Sequence, residues 1–425
     1  MKIIKRRVRE RRKNLTNQAG ARGSGHIKSS VHALNRPQAH QKMIAQLLWT
    51  ECKNFFRFTL FMSIFFTNIL GIFMVHMLVS LSLRCCNRQL FRRVQRFFEA
   101  FFVKLLVSLV QMISNSELVI TLADDHTDLT EAKFAKIFEA GKVSSEAVER
   151  DILISNHVLY SDWIYLWALM DRINRAGEVK IIMKRSLRNI PIFGWSMRYF
   201  DFIFLNRKWD QDQAHFKKKL NGFVDSGAPF CLLIFPEGTT INNRALAKSE
   251  AFATKMGVKP TAHVILPRVL GLWEAVKGLD ESLGGIYDVT VGYSGLKSTD
   301  EPEKVYTLGK LFWAGFAPES IHYHLEYIPL KEIPRESAEA FSEWLRNRYY
   351  HKDALLDEFY ATGSFPSKRE PVKKRLCPRY FWLTSFVSTM LCAVSLVAWF
   401  LFARDVVWAG LVAGFHYLLN FLNKK

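Results

Sequence analysis

The chain has 425 residues, is 49% hydrophobic and 14% aromatic, and carries a formal charge of +20. This length supports one or two domains with a real core. The charge sits at the ends: residues 1–57 hold 14 Lys+Arg against Glu10 and Glu51, residues 364–379 hold six against Glu370, and Lys424 and Lys425 close the chain. The centre is therefore almost neutral, which excludes a basic nucleic-acid groove in the folded part. Charge beside apolar segments instead fits positive membrane flanks and anionic headgroups.

From the N-terminus, residues 1–45 read as a basic disordered tail, polar and Arg-rich without apolar periodicity as far as about Gln41. Residues 46–113 read as N-terminal membrane-embedded helices. Phe58 to Leu83 has no charge in 26 residues, more than the roughly 20 needed to cross a bilayer. A second apolar helix, Phe97 to Ile113, carries Glu99 and Lys104 and reads as interfacial or half-buried. Basic residues flank the first segment on both sides, so an in-plane or re-entrant pair stays open beside a spanning one.

Residues 114–363 alternate short β-rich runs with helical stretches. The runs are Leu118–Leu122, Asp151–Ser155, Val179–Lys184, Asp201–Asn206, Cys231–Glu237, His263–Val269, Asp288–Tyr293 and Ile321–Ile328. Helical stretches include Asp162–Arg175, Asp210–Asp225 and Ala247–Met256. The pattern implies an α/β domain, a largely parallel sheet flanked by helices, with functional residues beyond the carboxyl ends of strands. Residues 364–379 read as a basic linker. Residues 380–425 read as a C-terminal transmembrane hairpin, Tyr380–Ala403 and Val406–Leu422, turning at Arg404-Asp405. The six cysteines (Cys52, Cys85, Cys86, Cys231, Cys377, Cys392) have no paired spacing, so neither a disulfide framework nor a zinc signature is expected.

Two motifs carry chemistry. In "ISNHVLYSDW", Ile154 to Trp163, His157 and Asp162 follow a strand-like run. Ser161 is expected to cap the helix starting near Asp162. The turn can fold the carboxylate back onto the imidazole, giving a base with an orienting acid. In "IFPEGTT", Ile234 to Thr240, Gly238 permits a tight turn, and Glu237 can accept from a substrate hydroxyl. His322, His324 and Glu326 alternate in "IHYHLEY" and read as the polar face of a strand rather than as metal ligands. Asp124 to Asp128, "DDHTD", reads as an acidic loop.

The combination resembles the glycerolipid acyltransferase family: N-H-x-x-x-x-D, then F-P-E-G-T 80 residues on, with "KRSLRNIPIFGWSMRYFDFIFLNR" and "HVILPRVLG" matching two further blocks. "FIFLNRKWDQDQAHF", "SEAFATKMG" and "GIYDVTVGY" look like the branch holding lysocardiolipin and lysophosphatidylinositol acyltransferases. The resemblance covers roughly Phe58 to Pro334. It implies a glycerolipid acyltransferase-like mixed sheet and an enzyme moving an acyl chain from acyl-CoA to a lysophospholipid hydroxyl. In it His157 is the base, Asp162 orients it, Arg207 meets a phosphate, Glu237 and Gly238 position the acceptor, and Pro267 and Arg268 shape the acyl-CoA side. Asn156, Lys184 and Thr239 join the substrate contacts, and Gly194 is a further matching position.

The resemblance implies no cofactor beyond acyl-CoA as co-substrate and no metal, and a multi-pass protein of the endoplasmic reticulum with its catalytic domain facing the cytosol. Its partners would be acyl-CoA, a lysophospholipid and the lipid bilayer, with no nucleic acid. Two departures stand out. Thr240 occupies the place where many lysophosphatidate acyltransferases have arginine, which brings in Arg244 and Lys248 beside Arg207 as phosphate-binding alternatives. The segment Asp124 to Arg150 is longer than the family's usual connection. A lysophosphatidate acyltransferase and a non-catalytic membrane scaffold remain the alternatives.

Overall fold

A computed structural model describes residues 36–83, 87–124, 133, 149–191 and 193–375, together with scattered positions between 389 and 404. The chain divides into two compact units, residues 1–53 and Asn54–Lys425. The described part of the first is the beginning of helix α1 (Arg36–Leu83). Pro37 sits in its first turn, where no amide partner is lost. The last ten residues of the expected tail, 36–45, are therefore helical. The C-terminal hairpin expected over residues 380–425 lies outside the described residues apart from those scattered positions.

Helix α2 (Arg88–Ser114) starts at Asn87, whose side chain accepts from the Leu90 amide, and ends at Asn115 in the left-handed conformation. Both helices are long and apolar enough to cross a membrane, over Gln41–Met74 and Gln89–Ser114. They differ in burial: 56% of the most apolar stretch is covered in the second against 28% in the first. The second is thus a docked helix. Phe102, Val103, Leu106 and Val110 pack into the main core. Glu99, fully buried, forms an ion pair with Lys180. Gly177 lets α2 come close, since a Cβ there would stand 2.3 Å from the Arg96 carbonyl oxygen.

Beyond α2 come β1 (Glu117–Leu122), β2 (Arg150–Ser155), α3 (Asp162–Arg172), β3 (Val179–Lys184), α4 (Phe193–Tyr199), β4 (Ile203–Leu205), α5 (Trp209–Asp225) and β5 (Phe230–Ile234). Then follow α6 (Asn243–Met256), α7 (Val269–Leu279), β6 (Gly285–Tyr293), α8 (Pro302–Val305), β7 (Ser320–Pro329), α9 (Ala338–Thr362) and β8 (Val372–Arg375). Among the described residues these strands make one eight-stranded sheet ordered β4-β3-β5-β2-β6-β7-β1-β8. All pairs are parallel except β6–β7 and β1–β8. The mixed α/β sheet flanked by helices is as the alternation implied. Helices α2 and α3 cover one face, and α5, α7 and α9 the other.

Three expectations need correction. Residues 263–269 form no strand. Pro267 has no amide to give a ladder, and side chains hold the segment instead: Asp353 accepts from the His263 amide and Ser249 Oγ from that of Leu266. Strand β5 stops at Ile234, two residues before Pro236, so Glu237 lies in the turn beyond it. The basic linker is partly structured, for Val372–Arg375 pairs antiparallel with β1. Lys373, Lys374 and Arg375 make this a charged edge, which discourages pairing with another chain.

Lys180→Ala should leave the Glu99 carboxylate buried and unpaired and cost about 3–5 kcal/mol. Thermal unfolding of the detergent-solubilised chain measures this. The double change Glu99→Leu with Lys180→Met should restore most of the loss.

Candidate active site

Strands β2 and β5 are parallel neighbours in the middle of the sheet, so their carboxyl ends lie side by side. That places the turn after β2, carrying Asn156 and His157, against the turn after β5, carrying Glu237 and Gly238. The two are laced together. Glu237 Oε1 accepts from the His157 amide at 3.0 Å, and the His157 carbonyl accepts from the Ile241 amide at 2.8 Å.

Asp162 begins α3 and is fully buried. Its Oδ2 lies 2.9 Å from His157 Nδ1 and accepts from the Val158 amide at 2.6 Å. Its Oδ1 accepts from the Leu159 amide at 2.9 Å and from the Tyr293 hydroxyl at 2.5 Å. Four donors compensate the burial of one carboxylate. Ser161 makes no side-chain cap, contrary to expectation. Asp162 itself folds the turn back by taking the amides of Val158 and Leu159. With Nδ1–H given to Asp162, His157 Nε2 is left as an acceptor. Phe235 stacks on the imidazole at 4.0 Å and 17°.

His157 opens on a cavity of about 350 Å³ walled by Leu205, Trp209, Leu270 and Leu272 and joined by Arg207, Gly238 and Arg268. Arg207 is in the left-handed region at φ 66°. Such backbone costs about 1–3 kcal/mol unless its surroundings impose it. Asp212 does so: its two oxygens accept from the amides of Asn206 and Lys208, on either side of Arg207. Gly238 also has positive φ, 71°, and a Cβ there would stand 3.3 Å from Arg268.

A second cavity, about 660 Å³, shares Arg268 and includes Glu237, Thr239, Arg244, Lys248, Phe252 and Pro267. Glu237 therefore lines a different cavity from His157. Burial pushes its carboxyl well above the usual range, against the weaker opposing pull of the His157 and Ile265 amides. Among the described residues its Oε2 has no hydrogen-bond partner. Its visible task is to hold the His157 turn. Thr240 is buried and bonded to Glu303.

Some expected contacts move elsewhere. Asn156 is buried and its amide bonds the backbone of Val291, accepting at 2.8 Å and donating at 3.0 Å, which braces β2 to β6. Lys184 is exposed at the end of β3 and lines neither cavity. Gly194 answers a packing need, as a Cβ would meet the carbonyl oxygens of Leu187 and Arg188 at 2.4 Å. In "IHYHLEY", Glu326 pairs with Arg348, His322 Nε2 lies 2.8 Å from Ser320 Oγ, and His324 packs against His351 and Phe365. Among the described residues no cluster of three or more His, Cys, Asp or Glu could hold a metal ion.

The sequence missed Tyr293, Asp212 and Phe235. Tyr293 was visible only as the end of "GIYDVTVGY", and nothing local tied it to a residue 131 positions away.

The acyltransferase family model matches residues 138–294, and the acyltransferase C-terminus model matches residues 313–387. An uncharacterized acyltransferase of Schizosaccharomyces pombe is 34% identical over 310 residues, 73% of this chain and 87% of the relative. The chain belongs to the glycerolipid acyltransferase family. The 2-acyl-1-lysophosphatidylinositol acyltransferase of Saccharomyces cerevisiae is 33% identical over 303 residues, 63% of this chain and 76% of the relative. Lysocardiolipin acyltransferase 1 of Gallus gallus is 36% identical over 217 residues, covering 51% and 55%. The protein is thus an acyltransferase.

Tyr293→Phe removes one donor to Asp162 and keeps the ring. Burial holds the phenol well above its ordinary pKa, so it acts as a donor throughout the working range. A hydrogen bond to a charged group is worth about 1.5–3 kcal/mol, so thermal stability should fall by about that much and kcat about tenfold or more, while KM changes little. Steady-state kinetics beside a melting curve measures the split.

Proposed function

We propose that this acyltransferase moves a fatty acyl chain from acyl-CoA to the free hydroxyl of a lysophospholipid of the lysophosphatidylinositol or lysocardiolipin type. The observation that carries the reading is His157, braced through Nδ1 by buried Asp162, on an apolar cavity that also holds Arg207. An apolar wall suits an acyl chain, and a guanidinium fork suits a phosphate.

His157 Nε2 takes the proton of the acceptor hydroxyl as its oxygen attacks the thioester carbonyl carbon. The carbon–sulfur bond then breaks, and the CoA sulfur leaves with the proton returned by the imidazolium. Asp162 holds the ring and stabilises its charged form. The thioester is already activated, so the reading needs no acyl-enzyme and no metal. Burial pushes the Cys231 thiol far up, which suits a core residue rather than a nucleophile. Arg244 and Lys248, beside Thr239, Pro267 and Arg268, offer further cations for the CoA phosphates.

The headgroup assignment rests on the relatives' names and on Thr240, which gives its hydroxyl to Glu303 where many lysophosphatidate enzymes have arginine. The two apolar helices fit membrane association. A cytosolic catalytic face on the endoplasmic reticulum suits the supply of acyl-CoA, and a multi-pass anchor completed by residues 380–425 is part of the same proposal.

A panel of lysolipids with labelled acyl-CoA tests this. Lysophosphatidylinositol or monolysocardiolipin should outpace lysophosphatidate, and His157→Ala should lose about 10²–10⁴-fold in rate, the usual share of a general base. Lysophosphatidate as the best acceptor would overturn the headgroup assignment, and near wild-type transfer by His157→Ala would overturn the mechanism.

A further inference from the structure

A third cavity, about 760 Å³, lies at the β4 edge of the sheet, and nothing in the reaction uses it. Its walls carry Arg92, Arg188, Arg198, Lys219 and His215, against Asp201 as the one acidic side chain among them. Asp201 is already committed: it pairs with Arg92 and Lys219 and accepts from Gln95. Arg188 and Arg198 have no ion-pair partner among the described residues. A half-buried concavity with unmatched guanidinium groups is built for an anion. His215 reports the same field, for its pKa is lowered by burial and then by Lys219, Arg188 and Arg185.

The cavity is separate from the catalytic one. Successive residues of a strand face opposite sides of a sheet. In β4 this sends Phe204 to the third cavity, which α2 walls together with His215 and Lys219 of α5, and Leu205 to the cavity of His157; the two cavities share no lining residue. A substrate seated at His157 therefore does not fill it.

Its surroundings indicate where the anion comes from. Phe73, within the charge-free apolar run Phe58 to Leu83 of α1, packs on Tyr199 at 5.7 Å and on Trp195 at 5.9 Å. Tyr199 is part of the cavity wall. Trp195 and Ile190 are 39% and 42% exposed next to the arginine-bearing turns. Unpaired guanidinium groups beside exposed apolar side chains and the flank of an apolar helix suit an anion that carries acyl chains, the chemistry of a lipid headgroup.

We propose that this cavity binds the phosphate of an intact anionic phospholipid headgroup, at a site distinct from the catalytic centre, with Arg188 and Arg198 as the principal ligands. The proposal does not depend on which lysolipid is the acceptor.

The test uses the full chain in neutral detergent micelles with fluorescent phosphatidylglycerol as probe and fluorescent phosphatidylcholine as control. The wild type should retain phosphatidylglycerol in preference to phosphatidylcholine, and His157→Ala should do the same. The double variant Arg188→Gln with Arg198→Gln should bind phosphatidylglycerol about tenfold or more weakly, the scale of losing charge-assisted bonds to a phosphate. Arg188→Lys with Arg198→Lys should retain most of the binding. Unchanged binding in the Gln pair overturns the proposal, as does equal loss in the Lys pair, which would mean that charge does not hold the lipid. Displacement by inorganic phosphate or CoA would make it a soluble-anion site, and displacement by lysophospholipid would make it part of the catalytic cavity. Either result overturns the proposal.

Discussion

Everything at the centre of this molecule is arranged around the carboxylate of Asp162. A buried carboxylate is costly unless its lone pairs are met. Here two amides of its own turn, a tyrosine from β6 and the catalytic-type imidazole meet them. Satisfying that one charge bends the chain after β2 into its turn, fixes the ring of His157 and ties both to a strand that follows 123 residues after Asp162 at Gly285. The group that holds the imidazole is thus also the group that folds the loop.

The sheet supplies the rest of the geometry. Adjacent parallel strands bring two turns together from positions 80 residues apart, and Glu237 and Ile241 lace them by backbone contacts to His157. Asn156 braces β2 to β6 immediately before the turn. Below it, Tyr349 of α9 bonds to the Ser155 carbonyl, and Lys352 of the same helix pairs with Asp288. Helix α9 is therefore structural support for the site. Across β4, the same thin edge separates an apolar cavity facing His157 from a basic cavity facing α2.

Much of this was legible. His157 and Asp162 announce themselves because a core has little use for either at a strand end, and Asp-to-His spacing across a helix start permits only a tight return. Most strands were read from apolar runs because buried parallel strands are continuous and short. The errors share one cause: they depend on partners far along the chain. Residues 263–269 have a strand's composition, yet no neighbouring strand accepts them. Lys373, Lys374 and Arg375 look like a solvated linker, yet β1 leaves an edge for them. Glu237 reads as a substrate ligand, and only the fold shows that it is buried and also holds the His157 amide. Glu99 and Lys104 looked alike in an apolar helix, and only the fold shows that one meets Lys180 inside while the other lies at the surface.

The most direct test of this account is the protonation pattern of the His157 ring. Ring-nitrogen NMR on the histidine-labelled protein, with His157→Gln to assign the signal, distinguishes the two neutral tautomers. The account predicts a proton on Nδ1, shared with Asp162, and a bare Nε2 ready to accept one, with the signal shifting when Asp162 is changed to Asn. A proton resting on Nε2 in the neutral wild-type ring would contradict it, because His157 would then have no lone pair to offer the acceptor hydroxyl.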